Sequence, residues 1–243
     1  TRYIYFSPMD YIMYKMLGED LCSHSIAQSS GLMDIVSCEY SPQILKAVNV
    51  SPDMLPTLYE STDIVGYIDQ KMHEQLALAI GTPVLVGLCD ASASQIGSGA
   101  IDDGTFCISI GTCAAIRTFV KEPIFFDNQF AAIRVVTPFG YIPSCSVTDA
   151  GGVLKWYRKN FCKYEMMLQQ QGQGNCYRQL DEASAKIPIG CQGLTAITSL
   201  SGQIFNTKYT NASGALVGLR THHTHAHVAR SLMEGVGLQL NTV

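Results

Sequence analysis

Hydrophobic residues recur with a helical period between residues 7 and 81. Four stretches show this period: 7–17, 41–48, 51–58 and 69–81. The first three begin with Ser-Pro, which is typical of a helix start, and the fourth is closed by a glycine, Gly81. We therefore predict four helices in this part of the chain. The apolar face of the first is expected to consist of Tyr11, Ile12, Met16 and Leu17.

The period changes to that of β-strands in the middle of the chain. The run 83–90 is apolar until it reaches Asp90, which predicts a buried strand that ends there. Beyond residue 104, short apolar runs are separated by turn residues, and this pattern predicts a meander of strands. The predicted strands of the meander are 105–111, 114–120, 131–138 and 140–147.

A mainly helical pattern returns after the predicted meander. Helices are predicted at 148–161, 174–188 and 221–240, with one strand within 193–202. The change from helices to strands places a domain boundary between residues 91 and 104. We therefore expect one domain over 1–91 and a second over 92–243.

Composition narrows the class of protein. Of the 243 residues, 47% are hydrophobic and 15% are charged, so the chain can bury a core. The net charge of −4, with no basic stripe, argues against a nucleic-acid partner. No apolar run is long enough to cross a membrane. The nine cysteines are irregularly spaced and form no Cys-x-x-Cys pair, so we expect free thiols in a reducing, cytoplasmic compartment.

Asp90 is the first candidate for chemistry. An acid at the carboxyl end of a strand lies where ligands bind in α/β sheets, and there it can take a proton from a substrate hydroxyl. The alternative is an N-cap of the helix predicted to follow. Position alone does not separate these two interpretations of Asp90.

Two glycine-containing turns are candidates for binding a phosphate. Gly111-Thr112 lies between two apolar strands and offers backbone N–H groups beside a hydroxyl, although an ordinary tight turn uses the same residues. Gly151-Gly152 lies at a predicted helix start, where free N–H groups suit an anion. The alternative for this second pair is a close contact between helix and sheet.

Histidines cluster around the predicted start of the last helix. His223 and His227 are four residues apart, which is the spacing of metal ligands on a helix, but no Glu follows His223 as H-E-x-x-H requires. We therefore assign no metal ligands among His223, His225 and His227, and expect no zinc there. Arg230 and Glu234 have the i,i+4 spacing of a structural ion pair.

Taken together, these motifs resemble those of the FGGY carbohydrate kinases, and in particular the gluconate-kinase-like and xylulose-kinase-like members. The run 87–117 is similar to the central signature of the family, with Gly-x-x-Asp, a series of small residues and then Gly-Thr. Residues 149–161 look like its Gly-Gly helix with a tryptophan, 211–236 like its late helix, and 23–35 like its small-residue segment. The Ala-Ile-Arg that follows Gly-Thr is similar to the gluconate-kinase branch.

The resemblance implies an α/β fold of the actin-like ATPase type. Two ribonuclease H-like domains are implied, represented here by part of the first, sugar-binding domain and most of the second, ATP-binding domain. The implied reaction is ATP-dependent phosphorylation of a hydroxyl on a sugar, sugar acid or polyol, with ATP and Mg²⁺ as cofactors and gluconate as the first acceptor to consider. A carbohydrate is then the partner, no nucleic acid or membrane is involved, and the oligomeric state is open between a monomer and a homodimer.

The resemblance also implies roles for single residues. Asp90 corresponds to the catalytic base, which deprotonates the attacking hydroxyl. Gly111 and Thr112 correspond to the turn that holds the terminal phosphates of ATP. Gly151 and Gly152 correspond to the helix start near the nucleotide.

Several family motifs are changed or have no match. The opening Asp-x-Gly-Thr strand and the closing Gly-Gly turn of the family are not found, so we expect the chain to be an internal part of a longer protein. Cys113 stands at the serine of Gly-Thr-Ser, Ser23 stands at an acid, and Gly202-Gln203-Ile204 stands at Gly-Glu-Arg. Because the last change removes charge, a kinase-like module that binds a sugar or a partner without turnover is the alternative function.

Overall fold

The computed structural model describes residues 4–125, 131–202 and 211–241. The chain divides into two compact units. The first unit comprises residues 1–107, 117–125 and 133–143, and the second comprises residues 108–116, 126–132 and 144–243. No helix within the described residues has both the length and the apolar character needed to cross a bilayer.

Three of the four helices predicted between residues 7 and 81 are present in the first unit, and a short helix after residue 23 was not predicted. The helices of this unit are α1 (Pro8–Leu17), α2 (His24–Ala27), α3 (Pro42–Val48), α4 (Gln70–Leu76) and α5 (Asp90–Gly97). Short 3₁₀ turns lie at Gln28–Ser30 and Pro52–Met54. The predicted first helix is confirmed, because Ser7 is its N-cap and Gly18, at φ 78°, is its C-cap.

The buried face of α1 differs from the predicted one. Tyr11 and Ile12 are 50% and 55% exposed, whereas Met13 and Asp10 are buried. Asp10 can be buried because its carboxylate accepts hydrogen bonds from the backbone N–H groups of Phe6 and Ser7 at 2.9 and 3.0 Å. Capping at the helix start thus places a polar side chain inside. The predicted apolar face was wrong at Tyr11 and Ile12, whereas Leu17 packs on the core as predicted.

Two of the predicted helices are shorter than expected. The stretch 51–58 forms only the 3₁₀ turn and then β2 (Thr57–Tyr59), because Pro56 cannot continue a helix. Helix α4 ends at Leu76, since Ala77 adopts φ 55° and its N–H bonds back to the carbonyl of His73. Gly81 therefore closes a later turn and not the helix.

Two small strand pairs complete the first part of the chain. β1 (Leu21–Ser23) pairs in parallel with β2, with Leu21 opposite Thr57. β3 (Ile64–Tyr67) pairs antiparallel with β4 (Pro83–Leu85). The predicted buried strand 83–90 was wrong in length and burial, because Gly87 turns the chain at φ 80° and Leu85 is 46% exposed.

The four strands predicted after residue 104 are confirmed, but their order is not that of a meander. They are β5 (Phe106–Ile110), β6 (Ala114–Thr118), β7 (Ala131–Val136) and β8 (Gly140–Val147), in the order β5-β6-β8-β7. β7 and β8 are joined by a short turn and pair with each other, and β8 pairs with β6 through its other edge. β8, the last of these four strands along the chain, therefore lies inside the sheet. A meander would place β7 at that position.

The rest of the second unit is built mainly of helices. They are α6 (Gly151–Phe161), α7 (Lys163–Gln170), α8 (Cys176–Ser184) and α9 (His225–Leu240), with β9 (Thr195–Ile197) antiparallel to β10 (Ala215–Val217). Helix α9 packs closely on β9, since a Cβ at Gly235 would lie 2.5 Å from the carbonyl oxygen of Ala196. Buried apolar residues of this core include Val147, Val153, Tyr157, Leu180, Ala229 and Leu232.

Helix α9 begins later than predicted. Thr224 is its N-cap, and the ring of His227 completes a capping box with the Thr224 backbone, so the first helical residue is His225. His223 lies before the helix. The predicted placement of His223 and His227 one turn apart on a single helix was therefore wrong.

Candidate functional site

Asp90 is the first residue of α5 in the first unit. The N-cap is Cys89, so Asp90 lies one position inside the helix and is not the N-cap that the sequence left open. Its Oδ1 accepts the N–H of Ala91 at 2.7 Å, and the side chain is exposed. A carboxylate is electrostatically favoured at a helix N-terminus, and its exposure leaves it able to accept a proton from a substrate hydroxyl.

Buried serines fix the backbone that carries Asp90. The N–H of Cys89 donates to Ser25 Oγ at 3.1 Å, and the Cys89 thiol lies 3.1 Å from Ser92 Oγ. Both serines are fully buried. Although burial opposes it, hydrogen bonds with Ser25 and Ser92 lower the pKa of the Cys89 thiol. The side chains of small residues in α2 and α5 therefore hold the backbone directly before Asp90.

The Gly111-Thr112 turn joins β5 to β6 in the second unit. Gly111, Thr112 and Cys113 are all exposed, and the N–H of Gly111 donates to the carbonyl of Cys113 at 2.8 Å. Among the described residues, a Cβ placed on Gly111 would meet only that carbonyl oxygen, at 3.7 Å, which is an ordinary van der Waals distance. Protein packing therefore does not require a glycine here, and the open side of the turn is available to a ligand.

The start of α6 is hydrogen-bonded to this turn. The N–H of Gly151 donates to the carbonyl of Gly111 at 2.8 Å, and the N–H groups of Ala150 and Gly152 donate to the carbonyl of Thr112, each at 3.1 Å. These amides are thus satisfied by protein carbonyls. The close contact between helix and sheet, weighed as an alternative from the sequence, is what the structure contains.

Glycine is needed for this contact. A Cβ on Gly151 would lie 2.4 Å from the carbonyl oxygen of Gly111, closer than any real Cβ contact. A Cβ on Gly152 would lie 3.1 Å from the carbonyl oxygen of Thr112 and 3.2 Å from its Cγ2. The structure therefore brings Gly111, Thr112, Gly151 and Gly152 together in the second unit, and it places Asp90 in the first.

Asp149 is a residue of this region that the sequence analysis missed. Its side chain is buried, and its Oδ2 accepts the N–H of Ser201 at 2.8 Å, so it anchors the loop after β9 beside the start of α6. An acid two residues before Gly-Gly was the available sequence signal. The predicted change of charge at Gln203 and Ile204 lies outside the described residues.

The remaining polar candidates have structural partners. Arg230 and Glu234 form the predicted ion pair at 2.7 Å, which confirms that prediction. Glu234 also accepts the N–H of Gly190 at 3.0 Å. Although burial opposes it, the bond from Arg230 and that from Gly190 lower the pKa of the Glu234 carboxyl. His227 caps α9, and its Nε2 lies 3.3 Å from Gln192 Oε1.

Family models match most of the chain. The model described as "FGGY family of carbohydrate kinases, N-terminal domain" matches residues 3–97. The model described as "FGGY family of carbohydrate kinases, C-terminal domain" matches residues 107–243. The two matches follow one another along the chain without overlap.

Curated relatives agree with these models. The gluconokinase of Bacillus subtilis (strain 168) is 26% identical over 239 residues, and the xylulose kinase of the same strain is 28% identical over 242 residues. Each match covers 98% of this chain. The chain spans about half the length of these curated relatives, 47% of the first and 46% of the second.

A solved structure shows the same fold. The gluconate kinase from Lactobacillus acidophilus matches with a TM-score of 0.83 at 22% sequence identity, over 96% of this chain and 45% of that one. At this identity the likeness concerns the fold alone. It confirms the fold class predicted from the sequence, an α/β fold of the actin-like ATPase type.

Proposed function

We propose, on the premise that this chain belongs to the FGGY family of carbohydrate kinases, that the protein containing it transfers the γ-phosphate of ATP to a hydroxyl of a sugar, sugar acid or polyol. The observation that carries this proposal is the exposed turn of Gly111, Thr112 and Cys113, whose position is fixed by hydrogen bonds from the start of α6. Phosphoryl transfer depends mainly on positioning and on neutralising charge, so a fixed phosphate-binding turn is its central requirement.

The turn fits the terminal phosphates of ATP. An exposed carbonyl oxygen repels a phosphate, but the carbonyls of Gly111 and Thr112 accept hydrogen bonds from α6 and are thereby engaged. The open side of Gly111 lets phosphate oxygens approach the backbone, and the Thr112 hydroxyl lies beside it. In this proposal Gly151 and Gly152 serve the nucleotide by holding the turn in place.

Asp90 is proposed as the general base. Its exposed carboxylate takes the proton of the acceptor hydroxyl as the oxygen attacks the γ-phosphorus, and the bond to the leaving ADP oxygen breaks. Mg²⁺ bound with ATP would neutralise charge on the β- and γ-phosphates, whose oxygens supply part of its ligand set. We place this chemistry in the cytoplasm because all nine cysteines are free thiols.

Gluconate is the first acceptor that we propose. Support comes from the Ala-Ile-Arg after Gly-Thr and from the gluconokinase relative at 26% identity. The xylulose kinase relative at 28% identity makes xylulose the second acceptor to measure.

The test compares two carboxylate substitutions in the full-length protein. ATP turnover is measured against a panel of sugar acids, ketoses and polyols for the wild type, Asp90→Asn and Asp102→Asn. Asp102 is the matched control, since it is also an exposed acid of the first unit. We expect Asp90→Asn to lower kcat by about 10²- to 10⁴-fold and Asp102→Asn to leave it unchanged.

Two results would contradict this proposal. Full turnover by Asp90→Asn would show that Asp90 is not the base. A wild-type protein that binds a sugar by calorimetry yet turns over no acceptor with ATP would identify the non-catalytic, kinase-like module instead.

A further inference from the structure

Three potential metal ligands converge in the second unit. One ligand atom each from Cys162, Glu165 and His225 lies within 4.8 Å of the other two. Within residues 4–125, 131–202 and 211–241, no other group of three or more His, Cys, Asp or Glu side chains brings its ligand atoms this close together. Neither the phosphate turn nor Asp90 is part of it, so the group is separate from the proposed catalytic residues.

The three side chains come from helix ends that pack on one another. Cys162 ends α6 and is the N-cap of α7, and its φ of −110° and ψ of 45° turn the chain between these helices. Glu165 lies in the first turn of α7, and His225 is the first residue of α9. Because Cys162 and His225 are 63 residues apart, no local motif reveals the group.

The distances suit a tetrahedral metal. Cys162 Sγ lies 3.4 Å from His225 Nε2. Zinc binds sulfur at about 2.3 Å and nitrogen at about 2.0 Å, so two such ligands at a tetrahedral angle are separated by about 3.5 Å. The observed pair already has nearly this separation, and a metal could bind with shifts of a few tenths of an ångström.

The imidazole of His225 is held in position by Tyr157. Their ring centroids lie 5.2 Å apart, and the Tyr157 hydroxyl donates to the backbone carbonyl of His225 at 3.2 Å. Cys162 is fully buried, and its thiol contacts the carbonyl of Tyr157 at 3.9 Å and the neighbouring Cys176 besides the imidazole. Side chains fixed in this way lose little freedom when they bind a metal.

We propose that Cys162, Glu165 and His225 bind a zinc ion. A thiolate, an imidazole and a carboxylate together match the ligand preference of Zn²⁺, and they are not the all-oxygen set that Mg²⁺ or Ca²⁺ takes. Binding releases the thiol proton to solvent, and the Zn–S bond takes its place. The ion cross-links the junction of α6 and α7 to the start of α9. Cys176 lies against Cys162 as a second sulfur.

The test is zinc binding by calorimetry, with metal content determined by elemental analysis, on the protein in a non-thiol reductant. We expect one zinc ion per chain bound at this site. His225→Gln and Glu165→Gln should each weaken the affinity by at least about 100-fold, since even the partners behind a metal ligand contribute about 10- to 100-fold. Cobalt substitution gives a second readout, a thiolate-to-metal charge-transfer band that Cys162→Ser removes.

Matched variants distinguish this site from other sources of binding. His222→Gln removes another histidine of the same segment, and Cys145→Ser removes another thiol of the same unit, so both should retain wild-type affinity. Circular dichroism confirms that each variant is folded.

Loss of zinc binding on His223→Gln but not on His225→Gln would place the ion among the clustered histidines. Loss on Cys162→Ser and Cys176→Ser with no effect of His225→Gln would show a cysteine pair acting alone. Either result, or no zinc bound to the wild type, would overturn the proposal.

Discussion

Gly111 and Gly151 contact each other, yet glycine is needed at the two positions for different reasons. At Gly151 a Cβ would lie 2.4 Å from a backbone oxygen, so the fold itself excludes any side chain. At Gly111 a Cβ would meet the protein at 3.7 Å, so the fold tolerates one. Gly151 is explained by packing alone, whereas packing does not explain Gly111, for which we propose a role in binding phosphate. Comparing neighbouring glycines in this way separates structural from functional requirements.

The largest effect on stability is expected from Gly151→Ala. The new methyl group must displace the backbone of the turn, which cannot yield as a flexible side chain does, so the free energy of unfolding should fall by about 3 kcal/mol. Chemical denaturation measures the loss. Gly237→Ala is the control. Gly237 lies in α9, and no described atom beyond its own stretch of helix lies within 4 Å of its Cβ position, so alanine should raise stability by up to about 1 kcal/mol. An equal free energy of unfolding for Gly151→Ala and the wild type would contradict the close contact between Gly151 and Gly111.

Gly111→Ala should change binding while leaving the fold intact. We expect the free energy of unfolding to stay within about 0.5 kcal/mol of the wild type, as for a substitution that meets no clash. The KM for ATP should rise about tenfold, equivalent to about 1.4 kcal/mol, because the methyl group occupies the open side of the turn. Steady-state kinetics at saturating acceptor provides the measurement. An unchanged KM would mean that the phosphates bind elsewhere.

Gly152→Ala gives an intermediate case. Its Cβ would lie 3.1 Å from the Thr112 carbonyl oxygen and 3.2 Å from Thr112 Cγ2, so we expect a loss of about 1 kcal/mol. Thr112→Ser removes that methyl group and keeps the hydroxyl, so the double variant should recover part of the loss. A double-mutant cycle by thermal unfolding measures the coupling. No recovery would assign the whole effect to the backbone oxygen.

The smallest loss of stability is expected from breaking the ion pair of Arg230 and Glu234, which depends on charge and not on shape. The pKa of Glu234 is lowered in the folded state, so its pairing stabilises the protein above the unfolded pKa near 4.5 and is lost as pH falls through the folded value. Glu234→Gln should therefore cost about 0.5 to 1 kcal/mol at pH 7 and little at pH 3. Unfolding curves at both pH values test this. An equal cost at both would indicate that packing, and not charge, is what Glu234 contributes.

Local signals in the sequence predicted much of the fold. The Ser-Pro start and Gly18 end of α1 and the four strands after residue 104 were correct, because caps and turns act over a few residues. The order β5-β6-β8-β7 was not predicted, because strand pairing depends on edges far apart in the chain. The domain boundary between residues 91 and 104 stays a prediction.

The candidate site was predictable as a set of residue types but not as an arrangement. The family resemblance selected Asp90, Gly111 and Gly151, and their roles stay predictions. No periodicity could show that the amide of Gly151 bonds to the carbonyl of Gly111, forty residues earlier in the chain. The same limit hid the contact of Cys162 with His225, which the sequence showed only as one member of a cluster of histidines.

Helix α6 joins two distant points of the second unit. Its first residues are hydrogen-bonded to the Gly111-Thr112 turn, and its last residue precedes Cys162. Its 11 residues span about 16 Å at about 1.5 Å per residue. A helix of this length is stiff along its axis, so the distance between its two ends changes little. We therefore expect a displacement at Phe161 to move the backbone at Gly111, because the two are connected through α6 and its backbone hydrogen bonds.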